Sequence, residues 1–172
     1  MKKLLWLLFF LALNAKAEIS SHCTQSESIQ FNANVLKTTK DGNLPTGKVV
    51  SICANAKKEP FDNLVYRFGK IGKVELEYTA PKDGVFHYSS APIDPHSFSM
   101  FLDFSRGKTK YEISVCNGSS CELNPVLLLV YNGSKVISEI KLDADVTKFF
   151  DDLDIDKTPI SPTIKVDSII KF

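Results

Sequence analysis

Short apolar runs that alternate with polar residues, each ending in a turn signal, recur along almost the whole chain. Val74, Leu76 and Tyr78 alternate with Glu75 and Glu77, and Phe98, Met100, Leu102 and Phe104 share a second register of this kind. Ile29, Phe31, Ala33 and Val35 make a third. A period of two sends successive side chains to opposite faces of a strand, so each run reads as a half-buried strand. Val49–Cys53, Leu64–Gly69, Val85–Tyr88, Tyr111–Val115, Val126–Tyr131, Val136–Leu142 and Thr163–Ile170 extend the series. Between them stand turn formers: the loop Asp41 to Gly47, the reversal Gly69 to Gly72, Pro81 to Gly84, the loop Pro92 to His96, Ser105 to Lys108, and Asn132-Gly133. One segment departs from the pattern. Val146, Phe149, Phe150 and Leu153 fall at helical spacing behind Asp145 as a cap. The expectation is an all-β fold, an antiparallel β-sandwich or barrel of about 9–10 short strands with one short helix near residues 144–154.

The first residues read differently. Lys2 and Lys3 precede the apolar run Leu4–Leu13, and Ala15-Lys16-Ala17 supplies small residues for cleavage after Ala17. Residues 1–17 therefore read as a cleaved signal peptide, and residues 18–172 as a single β domain. A lipoprotein reading centred on Cys23 is disfavoured by the polar Ser20-Ser21-His22 before it. No later apolar run approaches the roughly 20 residues a spanning helix needs, so no stable membrane insertion is expected after cleavage. The expected location is periplasmic or secreted. Losing Lys2, Lys3 and Lys16 takes three charges off the net +1 and leaves the mature chain near −2. That balance argues against a nucleic-acid partner.

Export also sets the reading of Cys23, Cys53, Cys116 and Cys121. An even number of cysteines in an exported chain implies two disulfides, with three possible pairings. Cys116 and Cys121 flank the turn-forming Asn117-Gly118-Ser119-Ser120, which puts their sulfurs within bridging reach across a hairpin. Cys23 with Cys53 follows by elimination. A zinc site would want Cys-x-x-Cys spacing, which the chain lacks, so no metal or other cofactor is expected.

Catalytic chemistry finds little support. His22, His87 and His96 are the only histidines. His96 lies in Asp94-Pro95-His96-Ser97, but sequence neighbours do not make a triad, and no Gly-x-Ser-x-Gly elbow occurs. His87 alternates with Phe86 and is expected on the opposite face. The chain is read as not an enzyme. Asp152, Asp154 and Asp156 match the opening of a calcium loop, but Lys157 stands where glycine is required and Thr163 where a bidentate glutamate is required. Asp151, Asp152, Asp154 and Asp156 read as a solvated acidic helix end or as candidate contacts for a basic protein partner, with Phe149 and Phe150 either joining that contact or packing the helix onto the sheet. The two Asn-Gly-Ser sequons coincide with turns, which accounts for them without sugar.

Ser51-Ile52-Cys53, then Tyr66-Arg67-Phe68-Gly69 and Gly72-Lys73-Val74-Glu75-Leu76, resemble a group of uncharacterised exported proteins of Gram-negative bacteria. The likeness continues to Arg106-Gly107 and Tyr111-Glu112-Ile113 and covers about residues 49–116. It implies an exported strand-rich domain and carries no chemistry. In general build the chain is also similar to periplasmic lysozyme inhibitors and to immunity proteins. The functional expectation is an exported, non-enzymatic protein-binding domain, an inhibitor or immunity protein against a cell-envelope enzyme or toxin. The alternative is a structural or small-ligand-binding envelope protein.

Overall fold

The computed structural model describes residues 20–55, 62–121, 126–144 and 163–169. The signal peptide, nearly all of the expected helix and the acidic residues Asp151, Asp152, Asp154 and Asp156 lie outside the described residues, as do Phe149 and Phe150. Among the described residues ten strands follow one another: β1 (Glu27–Thr39), β2 (Gly42–Asn55), β3 (Leu64–Lys70), β4 (Lys73–Ala80), β5 (Phe86–Asp94), β6 (Ser97–Arg106), β7 (Thr109–Gly118), β8 (Val126–Asn132), β9 (Lys135–Ala144) and β10 (Ile164–Ile169). A 3-10 turn, Ser119–Cys121, follows β7. The fold is all-β, as the alternation requires.

The strands form one open sheet in the order β10-β5-β6-β7-β8-β9-β1-β2-β3-β4. All neighbours are antiparallel except β10, which adds to β5 in parallel. The seam between the halves is narrow. Only Ala33, Asn34 and Val35 of β1 pair with β9, opposite Ala144, Asp143 and Leu142. At that seam the sheet folds over, and the inner faces of β1–β4 and β5–β10 close on a shared core. Phe104 of β6 lies at its middle, with ring centroids of Tyr78 at 4.3 Å, Tyr66 at 4.9 Å, Tyr111 at 5.1 Å and Phe86 at 5.5 Å. Tyr66 and Tyr78 belong to one half of the sheet and Phe86, Phe104 and Tyr111 to the other, so this aromatic cluster joins the halves. The Tyr66 hydroxyl is buried without a hydrogen-bond partner, and burial pushes its ionisation far up.

Several turns differ from expectation. The loop placed at Asp41–Gly47 is mostly strand: the chain reverses at Lys40-Asp41, and Gly42 to Pro45 pair back onto β1. Between Asn34–Val49 and Leu36–Pro45, Thr46 to Lys48 stand opposite Val35 alone. This bulge lets a polar, glycine-containing stretch stay in the sheet, which composition alone does not reveal. The reversal expected at Asn132-Gly133 falls one residue later, at Gly133-Ser134, because Asn132 still pairs with Lys135. Strand β5 runs on through Pro92, past the expected loop start, with Ile93 bulged out and half exposed. Ala144, where the expected helix begins, closes β9 instead.

Candidate binding groove and the polar clusters around it

The Ser51-Ile52-Cys53 and Tyr66-Arg67-Phe68-Gly69 runs meet on adjacent strands β2 and β3, and each residue has a separate task. Ile52 and Tyr66 enter the core. Cys53 bonds Cys23 (S–S 2.03 Å), which straps residues 20–24 across the outer face of β1–β3. Ser51 Oγ accepts the His22 amide at 3.0 Å and donates to Asn32 Oδ1 at 2.8 Å, and Asn32 Nδ2 donates to the Ser20 carbonyl. Arg67 binds the strap from the other side. Its guanidinium grips both oxygens of Glu27 at 2.7 and 3.0 Å, reaches Glu77 through Nε at 2.9 Å, and donates to the His22 carbonyl at 3.2 Å. Burial alone would raise the Glu27 carboxyl, but the Arg67 fork and the Thr24 amide outweigh it and hold the group below its ordinary value. Gly69 carries φ +150°, and a Cβ there would run into the Lys73 carbonyl and the Glu75 amide. Glycine is required because β4 bulges: Phe68 faces Leu76 while Gly69 faces Val74, leaving Glu75 out of register.

The second disulfide, Cys116–Cys121, forms as the spacing suggests but not across a hairpin: Asn117 and Gly118 stay in β7, paired with Phe98 and Ser97, and Cys121 lies in the 3-10 turn that follows. Cys23, Cys53 and the Glu27 carboxylate converge within 4.8 Å, but the two sulfurs are bonded to each other and offer no thiolate to a metal.

A band of titratable groups crosses the outer face of β10, β5, β6 and β7. His87 faces away from Phe86, as expected, and its Nδ1 lies 2.7 Å from Asp167 Oδ2. Asp103 is paired across from His87, and Glu112 across from Asp103. Glu112 is buried, accepting from Lys110 Nζ at 2.6 Å and the Tyr131 hydroxyl at 2.9 Å. Burial raises the Asp103 carboxyl, and burial with the Glu112 carboxylate pushes the Tyr131 phenol up to about 12. The band lies on a partly exposed sheet face, with His87 and Asp167 both reached by water. His96 stands elsewhere, in the β5–β6 turn, where its amide donates to Asp94 Oδ1 at 2.7 Å and the Ser120 hydroxyl donates to Asp94 Oδ2.

A concave feature lies at the seam. Past Val35, β1 and β9 no longer pair, and a groove of about 520 Å³ opens between the β1–β2 arm, the end of β3 and residues 139–141 of β9. Its floor is apolar, made by Val35, Phe68 and Ile140, which continue the core outward. Its rim carries Lys37, Lys48 and Lys141, with Glu139 as its one carboxylate. Lys48 is held in place: Nζ lies 5.2 Å over the Phe68 ring and 2.6 Å from Glu75, the residue that the β4 bulge throws out of register. Lys37 and Lys141 have no carboxylate partner among the described residues. The surrounding hairpin ends expose Leu44, Ile71, Val74, Val136 and Ile137.

The expected disulfides are thus both placed, while Asp151, Asp152, Asp154 and Asp156 stay outside the described residues. The groove was missed in the sequence because its walls come from strands about a hundred residues apart. In the sequence Phe68 stands only as a strand residue of the Tyr-Arg-Phe-Gly run. The available signal was a run of lysines at successive strand ends: Lys37, Lys48, Lys70, Lys73, Lys135 and Lys141. No family model, no curated protein and no solved structure matches the chain.

Proposed function

We propose that this is an exported, non-enzymatic binding domain of the periplasm or the cell exterior that acts by occluding a protein partner, as an inhibitor or immunity protein does. The groove at the β1–β9 seam is its contact surface. The observation that carries this reading is the pairing of an apolar floor with a lysine rim in an open concavity. A shallow, wide-mouthed site suits an inserted side chain of a larger partner, whereas small-ligand pockets enclose most of their ligand. The scaffold supports the reading. Two disulfides brace the domain, which suits an oxidising compartment, and no helix among the described residues is long and apolar enough to cross a membrane.

The test is site-specific photo-crosslinking in cells that express the protein. A photoreactive residue at Thr38, on the groove, should give a discrete protein adduct, and one at Lys82, in the exposed β4–β5 turn, should not. No adduct from Thr38, or the same adducts from both positions, would overturn the reading.

A further inference from the structure

We infer that the segment this groove takes from its partner is acidic and bears an aliphatic anchor: carboxylates meet Lys37 and Lys141 while a branched side chain seats on Phe68 between Val35 and Ile140. The inference deepens the proposed function and rests on the groove being the contact surface.

Charge segregation is the first argument. Residues 36–48, 69–75 and 133–141, which form the groove walls and the hairpin ends beside them, hold seven lysines against Asp41, Glu75 and Glu139, a net of +4. The described residues outside these stretches carry a net of −3. A domain so polarised turns this end toward an anionic partner and repels one from its other surfaces. Lys48 is already neutralised by Glu75, so of the lysines lining the groove Lys37 and Lys141 are the two without an ion pair among the described residues, and Glu139 offsets one charge.

The floor is the second argument. Phe68 and Ile140 are only partly buried although they pack on the core. Behind them Val35 and Val50 are closed off at 5% and 0% exposure. The site therefore admits one side chain's depth and no long acyl tail, which favours a protein segment over a lipid. The exposed residues at its margins are aliphatic, Leu44, Ile71, Val74, Val136 and Ile137, and Tyr131 opposite Val136 is tied to Glu112 and Lys110 rather than free to anchor at a bilayer interface. Phe68, the one aromatic ring in the groove lining, is occupied on one side by Lys48, so there is no stacking platform for bases.

The experiment is a titration of the oxidised mature protein, followed by backbone amide NMR and calorimetry. Three probes are used: a synthetic peptide alternating glutamate with leucine, the same peptide with lysine for glutamate, and phosphatidylglycerol vesicles. The glutamate peptide should bind, moving the amides of Thr38, Thr46, Phe68 and Ile140, and the lysine peptide should not. The double variant Lys37→Glu, Lys141→Glu should bind it at least ten-fold more weakly, and Lys82→Glu should leave binding unchanged. Amide spectra of each variant confirm the fold. Equal binding of both peptides, binding unaffected by the rim reversal, or preferential binding of the vesicles overturns the inference. If crosslinks from Thr38 identify a partner while the glutamate peptide fails to bind, the groove keeps its function and only this partner chemistry falls.

Discussion

Arg67 makes a sharp test of how the N-terminal strap is held. Its guanidinium is 14% exposed and the Glu27 carboxylate 12%, so the pair is largely withdrawn from water. Replacing Arg67 with methionine keeps the packing of the stem but strands the carboxylate, with the Thr24 amide at 2.7 Å as its remaining strong donor. Breaking one side of a buried pair costs about 3–5 kcal/mol. The half-exposed Glu77 contact adds little to this, on the order of 0–1 kcal/mol. We expect about 3 kcal/mol at neutral pH, or a melting point lower by about 6–12 °C. Lysine at this position keeps the charge but not the fork and should recover about half. The sign of the pH effect follows from the lowered Glu27 carboxyl. Its contribution is fully present above its unfolded value near 4.5 and is lost as pH falls through the lower folded value. The gap between wild type and Arg67→Met should therefore close in acid, leaving only the packing loss. Urea unfolding with both disulfides intact, repeated from neutral pH into the acid range, measures it. A neutral-pH gap under about 1 kcal/mol, or a gap that acid does not narrow, refutes the account.

The two disulfides should differ in worth. Cys23–Cys53 spans 30 residues of separation and Cys116–Cys121 only 5, so loop-closure entropy gives about 3.6 against about 2 kcal/mol. Chemical unfolding of the two double serine variants should preserve that order. Tyr66→Phe removes a buried hydroxyl that has no partner and should leave stability unchanged or raise it by about 1 kcal/mol, read as the shift in urea midpoint. In an ultraviolet titration Tyr131 should ionise near 12, and Glu112→Gln should lower it only part of the way, because burial is the larger cause and the carboxylate the second. An unchanged Tyr131 in that variant counts against the Glu112 contact.

The strands were legible where one face is buried and the other wet. Val74-Glu75-Leu76-Glu77-Tyr78 announces β4 because the core takes Tyr78 and water takes the glutamates. Legibility failed where a strand departs from the two-residue period. Pro45 and Gly47 look like turn residues, yet a bulge opposite Val35 lets them stay in β2. Ile93 similarly leaves the β5–β6 register, so Pro92 is a strand residue. The parallel edge strand β10 could be seen as a strand, but its partner could not, because no local signal says which edge a crossover will reach.

The site was illegible for a related reason, and Phe68 shows it. By alternation Phe68 belongs with Tyr66 on the inner face, and alternation says nothing about where along the strand the core ends. That limit is set by the β1–β9 seam, which pairs only Ala33 to Val35 and so leaves the next inward-facing positions roofless. Past that limit the same inner face that buries Val50 presents Lys48, two residues away on β2. A lysine at an inward position is a poor core residue and a good rim residue. Its stem covers Phe68, and Glu75, displaced by the bulge that requires Gly69, fixes its amine. The glycine of the Tyr-Arg-Phe-Gly run thus acts on the groove at one remove. Replacing it would push β4 back into register, turn Glu75 away from Lys48 and release a third cation onto the rim. Gly69→Ala should therefore loosen the fold, by on the order of 1–3 kcal/mol, while making the groove more cationic. A stability loss without any rise in affinity for the glutamate-leucine peptide would mean that Glu75 does not restrain the rim.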